Sequence, residues 1–331
     1  QGQIVLLNKA AEEMLGMDAR QYMDKHYDVI EHQDALKDLM EQCLNTKQML
    51  RDELVITYPE KRTLDVNIVP IMSELGEWSG MVIVLHDISE IRRLERIRSE
   101  FVANVSHELK TPIAAVKGFA ETLLSGTVND EETSRSFLKI IYDESDRLNR
   151  LIINILELSK IESKSAPLDF SPIELHEFIT NTIHMTKTEA EKKGIQLSVD
   201  LPEEVYIEAD EDRLQQVVLN LISNGISYTG EGGKVSVAVK VIEADEEVEE
   251  LVQIIVSDSG IGIPEKDLPR IFERFYRVDK ARSRSSGGTG LGLSIVKHIV
   301  DLHRGRIMVK SKINEGSTFI IELPIVQTTD L

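Results

Sequence analysis
The spacing of apolar positions changes along the chain and marks its parts. Over residues 1–87, short β-like runs at 4–7, 53–57, 64–70 and 80–86 alternate with polar or helical pieces, which predicts a small α+β domain. From 88 to 124 the period is helical. With residues about 100° apart and Phe101 at zero, Val102, Val105, Leu109, Pro112, Ile113, Val116, Phe119, Ala120 and Leu123 fall within roughly 0–120°. On the same wheel His107 falls near 240°, opposite that stripe, and is predicted to face solvent.

A break at 125–130 separates this helix from a second, predicted over 131–162 with Phe137, Ile140, Ile141, Leu148, Leu151, Ile152, Ile155, Leu158 and Ile161 apolar. Two amphipathic helices on a short loop form a hairpin that cannot cover its own stripe. Two copies forming a four-helix bundle would cover it, so a homodimer is expected. A linker at 163–170 leads to a third unit over 171–325, with strands expected at 196–199, 234–242, 251–258, 306–310 and 317–323. The acidic run 243–250 between two of these strands reads as a solvated hairpin tip. The expected division is therefore 1–87, a helical linker at 88–100, the hairpin at 101–162, the linker at 163–170, and 171–325.

At 331 residues the chain exceeds one ordinary core, consistent with several domains. Its net charge of -19 repels a phosphate backbone, which argues against a nucleic-acid partner. The single cysteine, Cys43, cannot form an internal disulfide and fits a reducing compartment. Cys43, His26, His32 and His86 lack metal-ligand spacing. No stretch approaches the roughly 20 apolar residues of a membrane span, so any membrane attachment is expected through a segment upstream of this numbering.

Candidate chemistry sits in four places. An exposed His107 is open to a bulky donor, and the adjacent Glu108 can hold one ring proton while the other nitrogen keeps its lone pair. Thr111, one turn on, can position water, and Pro112 removes a helical hydrogen bond. Asn220 and Asn224 share a helix face, and neutral amide oxygens are hard ligands that suit Mg²⁺. Asp258 at a strand end, with Gly260 and Gly262, offers an acceptor for an exocyclic amine and close backbone approach. Gly288, Gly290, Leu291 and Gly292 lead into a helix, where free N–H groups and the dipole favour phosphate. The Lys-Ser/Thr ending of a P-loop is missing and the spacing is not that of a dinucleotide fold. Between the two glycine clusters, Phe272, Phe275 and Tyr276 can anchor a lid while Arg274 or Lys280 reaches phosphate.

Residues 106–112, Asn220 to Asn224 with Tyr228, the first glycine cluster, the Phe272 to Arg277 block, the second glycine cluster and Gly316 to Phe319 resemble, in this order, the sensor histidine kinase family of two-component systems. Residues 2–16 and the triplet Asp87, Ile88, Ser89 resemble the start and end of a PAS domain, as in sensors of the PhoR and WalK type. The resemblance implies a multidomain α+β chain: a PAS α/β domain, a hairpin for dimerisation and phosphotransfer, and a Bergerat-type α/β sandwich that binds ATP. It implies that His107 is phosphorylated from ATP and passes the group to a response regulator receiver domain, with Thr111 serving a phosphatase reaction. It further implies Mg²⁺ on Asn224, adenine against Tyr228, and a place in the cytoplasmic portion of a membrane sensor. One departure is Ser227, where relatives commonly carry Lys or Arg three residues after the metal-binding asparagine.

Overall fold
The computed structural model describes residues 2–128, 130–162, 168–243, 250–278 and 288–327. They fall into two compact units, residues 1–103 and 104–331.

In the first unit, three antiparallel strands, β1 (Leu50–Ile56), β2 (Arg62–Met72) and β3 (Trp78–Asp87), pair in the order β1-β2-β3. Alternation dictates the faces. Leu64, Val66 and Ile68 of β2 point to one side and are buried. They meet Leu36, Met40 and Cys43 of helix α3 (Asp34–Thr46), in one core with Leu15 of α1 (Lys9–Leu15). The short α2 (Ala19–Tyr22) is capped by Asp18. The run 4–7 is not a strand, contrary to its pattern. Its backbone is bonded at Ile4, whose N–H donates to Lys25 O and whose carbonyl accepts from Asp24 N–H, while Val5 and Leu6 lie exposed.

Helix α4 (Ser89–Leu124) begins in the first unit and runs into the second. At its start the Ser89 N–H donates to Asp87 Oδ1, and Arg62 pairs with Asp87 at 3.0 Å. Helix α5 (Glu131–Glu162) follows a turn closed by Gly126, at φ +67°, and by Asp130, whose carboxylate accepts from Thr133 N–H. Phe119 and Phe137 stack across the hairpin at 4.9 Å between ring centroids. Both helices match the expected spans. Within a single chain the α4 stripe stays incompletely covered: Pro112 is buried, Val105, Leu109, Val116 and Phe119 are half-buried, and Ile113 is exposed. The linker residues 163–167 and the acidic residues 244–249 lie outside the described residues.

The remainder is an α/β sandwich. A mixed sheet, ordered β5-β7-β8-β10-β9, comprises β5 (Gln196–Asp200), β7 (Lys234–Ile242), β8 (Leu251–Asp258), β9 (Arg306–Lys312) and β10 (Gly316–Pro324). Only β5 and β7 run parallel. Over it lie α6 (Leu175–Lys192), α7 (Glu211–Tyr228) and α8 (Gly292–Leu302), with α7 packed between the other two and against β7 and β8. Two strands of four residues, β4 (Ser171–Glu174) and β6 (Tyr206–Ala209), form a separate small sheet. Helix α7 buries Leu214, Val217, Val218, Leu221, Ile222, Gly225 and Ile226, and each large side chain among them contributes about 1.5–3 kcal/mol by leaving water.

Candidate nucleotide site and phosphoacceptor helix
Burial of one α7 face leaves its other face free. Asn220, Ser223, Asn224, Ser227 and Tyr228, spaced three and four apart, all line one cavity of about 420 Å³. Asp210 caps the helix by accepting from Arg213 N–H, and the buried ring of His303 accepts from the Asp210 N–H at 3.1 Å. The other ring nitrogen of His303 lies 2.8 Å from Ile299 O, which fixes the neutral Nδ1–H form. Burial lowers the pKa of this imidazole, opposed by its bond to Ile299 and by the Asp210 charge.

The opposite wall comes from the end of β8 and the loop beyond it. Asp258, Ile261, Gly262 and Ile263 line the cavity together with Ser317 and Phe319 of β10. Asp258 Oδ1 accepts from the Gly260 N–H at 2.8 Å. Desolvation raises the Asp258 pKa, while bonds from Gly260 and Ser317 act to lower it. Gly262 stands at φ +69°, and a Cβ there would lie 2.0 Å from Lys312 O, so no side chain fits.

The third wall is Gly288, Thr289, Gly290, Gly292 and Leu293, at the start of α8. Its N-cap, Leu291, makes no side-chain capping bond, and a helix start of that kind favours an anion. Gly290, at φ +73°, lies where a Cβ would approach the Phe275 backbone at 2.9 Å.

The cavity thus gathers Asn220, Asn224, Tyr228, Asp258, Gly262, Gly288, Gly290 and Gly292. Gly260 and Leu291 are not on its wall: Gly260 serves through its bond to Asp258, and the Leu291 side chain is fully buried. Arg274 is also off the wall, whereas Arg277 lies on it. Lys280 and Gly287 lie outside the described residues.

His107, Glu108 and Thr111 sit apart from the cavity on α4. His107 is exposed, as its position on the helical wheel predicts. The Thr111 hydroxyl donates to His107 O at 3.2 Å. Glu108 accepts from Arg147 of α5 at 3.0 Å, and Arg147, only 7% exposed, also reaches Glu144 at 3.4 Å. Arg147 has no signal in the sequence, because its partner lies on the other arm of the hairpin.

An α7 face of amides, an acidic strand end and an uncapped helix start define the class of nucleotide-binding α/β sandwich joined to a helical hairpin. Family comparisons agree. Residues 209–327 match the family of histidine kinase-, DNA gyrase B- and HSP90-like ATPases, 97–164 the His Kinase A (phospho-acceptor) domain, and 1–88 the PAS fold. The chain is 36% identical over 340 residues to the sensor histidine kinase WalK of Bacillus subtilis, covering 98% of this chain and 52% of that protein. It is 37% identical over 328 residues to a sensor protein kinase WalK of Staphylococcus aureus, covering 98% and 76%. The chain therefore spans about half the length of the first of these relatives. Among solved structures, the histidine kinase ThkA in complex with the response regulator protein TrrA is similar at a TM-score of 0.57 and 26% identity, covering 98% of this chain and 93% of that one. This chain belongs to the sensor histidine kinase family, with PAS, phospho-acceptor hairpin and ATPase-type parts in that order.

Proposed function
We propose that this chain uses ATP to phosphorylate its own His107 and then passes the phosphoryl group to an aspartate of a response regulator. One observation carries the reading: an exposed histidine beside a pinned carboxylate and a cavity built from amides, an aspartate and a helix start occur on one chain. The adenine amine donates to Asp258, the ring lies against Tyr228, and the phosphates point toward the α8 start. A lone pair of the His107 ring attacks the γ-phosphorus and the bond to the bridging β–γ oxygen breaks, leaving ADP. Glu108 takes the hydrogen bond from the other ring nitrogen. Catalysis rests on positioning and charge neutralisation more than on covalent help from the protein.

The donor set fits a hard cation: the Asn224 amide faces the cavity, with the Asn220 amide one turn before it. Asn224 would hold Mg²⁺, which supplies neutralisation of phosphate charge. The half-covered α4 stripe supports a homodimer, with two hairpins closing a four-helix bundle. Thr111 supports a phosphatase reaction on the regulator by placing a water. The division at 87, 100, 162 and 170 is the working domain map. Among the described residues no helix is long and apolar enough to cross a membrane, and kinship to the WalK sensors supports a cytoplasmic portion attached through an upstream segment.

A chase experiment tests the scheme. After incubation with γ-labelled ATP and removal of nucleotide, added receiver domain should take label from the chain within minutes. Label that stays on the chain with every receiver tried would contradict the phosphotransfer step.

A further inference from the structure
Two residues of the cavity wall come from the hairpin and not from the ATP-binding sandwich. Arg150 and Asn154 stand one turn apart on α5 and both line the cavity. Asn154 Nδ2 donates to Thr289 Oγ1 at 3.0 Å, and the same hydroxyl accepts from Leu291 N–H at 3.3 Å, so the hairpin holds the glycine segment that opens α8. Nearby on α5, Glu157 accepts from Gln216 Nε2 of α7 at 2.6 Å. These two bonds fix α5 against both helices that frame the phosphate end.

Arg150 lines the same cavity as Ser227, a neutral residue of α7. Its ion pair is with Asp146 at 3.2 Å, and both side chains are about half exposed, so water and salt weaken that pair and leave the charge available to a stronger anion. The base end of the cavity is set by Asp258 on the sheet side, while Arg150 and Asn154 belong to the hairpin that also carries His107. The phosphate to be transferred must face the hairpin.

We propose that Arg150 is a nucleotide-binding residue that contacts the terminal phosphate of a nucleoside triphosphate, supplying from the hairpin the positive charge that Ser227 does not. It rests on the ATP reading above and sharpens it: discrimination of ATP from ADP depends on the docking of α5 through Asn154 and Glu157. Arg277, contributed by the sandwich itself, also lies on the cavity wall.

Titration of the full chain with Mg²⁺·ADP and with a nonhydrolysable Mg²⁺·ATP analogue tests this. Arg150→Gln should weaken the triphosphate about tenfold, the scale of one charge-assisted hydrogen bond, and leave ADP within about twofold. Retained ADP binding also reports that the variant is folded. Arg150→Lys should recover part of the loss, and Asp146→Asn should leave both affinities unchanged. Equal losses for both nucleotides, or none for either, would overturn the assignment of Arg150 while leaving ATP binding intact. A wild-type chain that binds neither nucleotide would overturn the ATP reading itself and this inference with it.

Discussion
Replacing Arg147 with methionine removes a guanidinium from between two carboxylates while keeping most of the stem. The Arg147 side chain is 9% exposed, whereas Glu108 and Glu144 keep 26% and 29% of their exposure. Losing one partner of a fully buried pair costs about 3–5 kcal/mol, and a surface pair contributes about 0–1 kcal/mol. With both carboxylates about a quarter open to water, the loss here should be about 1–2 kcal/mol. At a urea slope of about 1–3 kcal/mol per molar, the hairpin midpoint should fall by roughly 0.3–2 M. Released from Arg147, Glu108 no longer holds its place beside His107, so single-turnover phosphorylation should slow about tenfold. Nucleotide affinity should stay unchanged because Arg147 does not line the cavity. Arg147→Lys keeps the charge without the planar fork and should fall between the two. An Arg147→Met chain with wild-type midpoint and wild-type phosphorylation rate would rule out this role of Arg147, as would a rate loss matched by lost nucleotide affinity.

Two further outcomes follow from the same geometry. The folded-state pKa of His303 lies below its ordinary 6.5, so the unfolded chain takes up the proton first and stability falls as pH drops below about 6.5. The thermal midpoint should therefore drop between about pH 7.5 and about pH 5.5, and His303→Gln should shrink that drop; an equal drop in both chains would count against it. Gly262→Ala puts a Cβ 2.0 Å from Lys312 O at a positive φ, and should cost about 2 kcal/mol or more while weakening nucleotide binding. A variant with unchanged stability by urea titration would show that the loop has room.

Much of this was legible in the chain because it is periodic or local. The hairpin helices follow from helical spacing, and the α7 amides from positions three and four apart. The Asp210 cap and the β7 and β8 spans follow from residue type and alternation. The run 4–7 misled because its pairing with residues 24–26 stops after Ile4, leaving Val5 and Leu6 in the open. The four-residue strands β4 and β6 carry too few alternations to register. Leu291 sits among the glycines that open α8, yet its own side chain fills the core. Arg147, Arg150 and Asn154 could not be read at all. Arg147 and Asn154 bond to residues of other elements, 39 and 135 residues away, and Arg150 faces a cavity built mostly by the sandwich; no local pattern encodes such a meeting.

In the proposed reaction His107 receives the phosphoryl group. Incubation of the wild type and of His107→Gln with γ-labelled ATP and Mg²⁺ tests it most directly. Acid-labile, base-stable label is expected on the wild type and none on the variant, with ATP affinity equal in the two. Label that persists on His107→Gln, or a wild type that binds ATP and stays unlabelled, would contradict that role of His107.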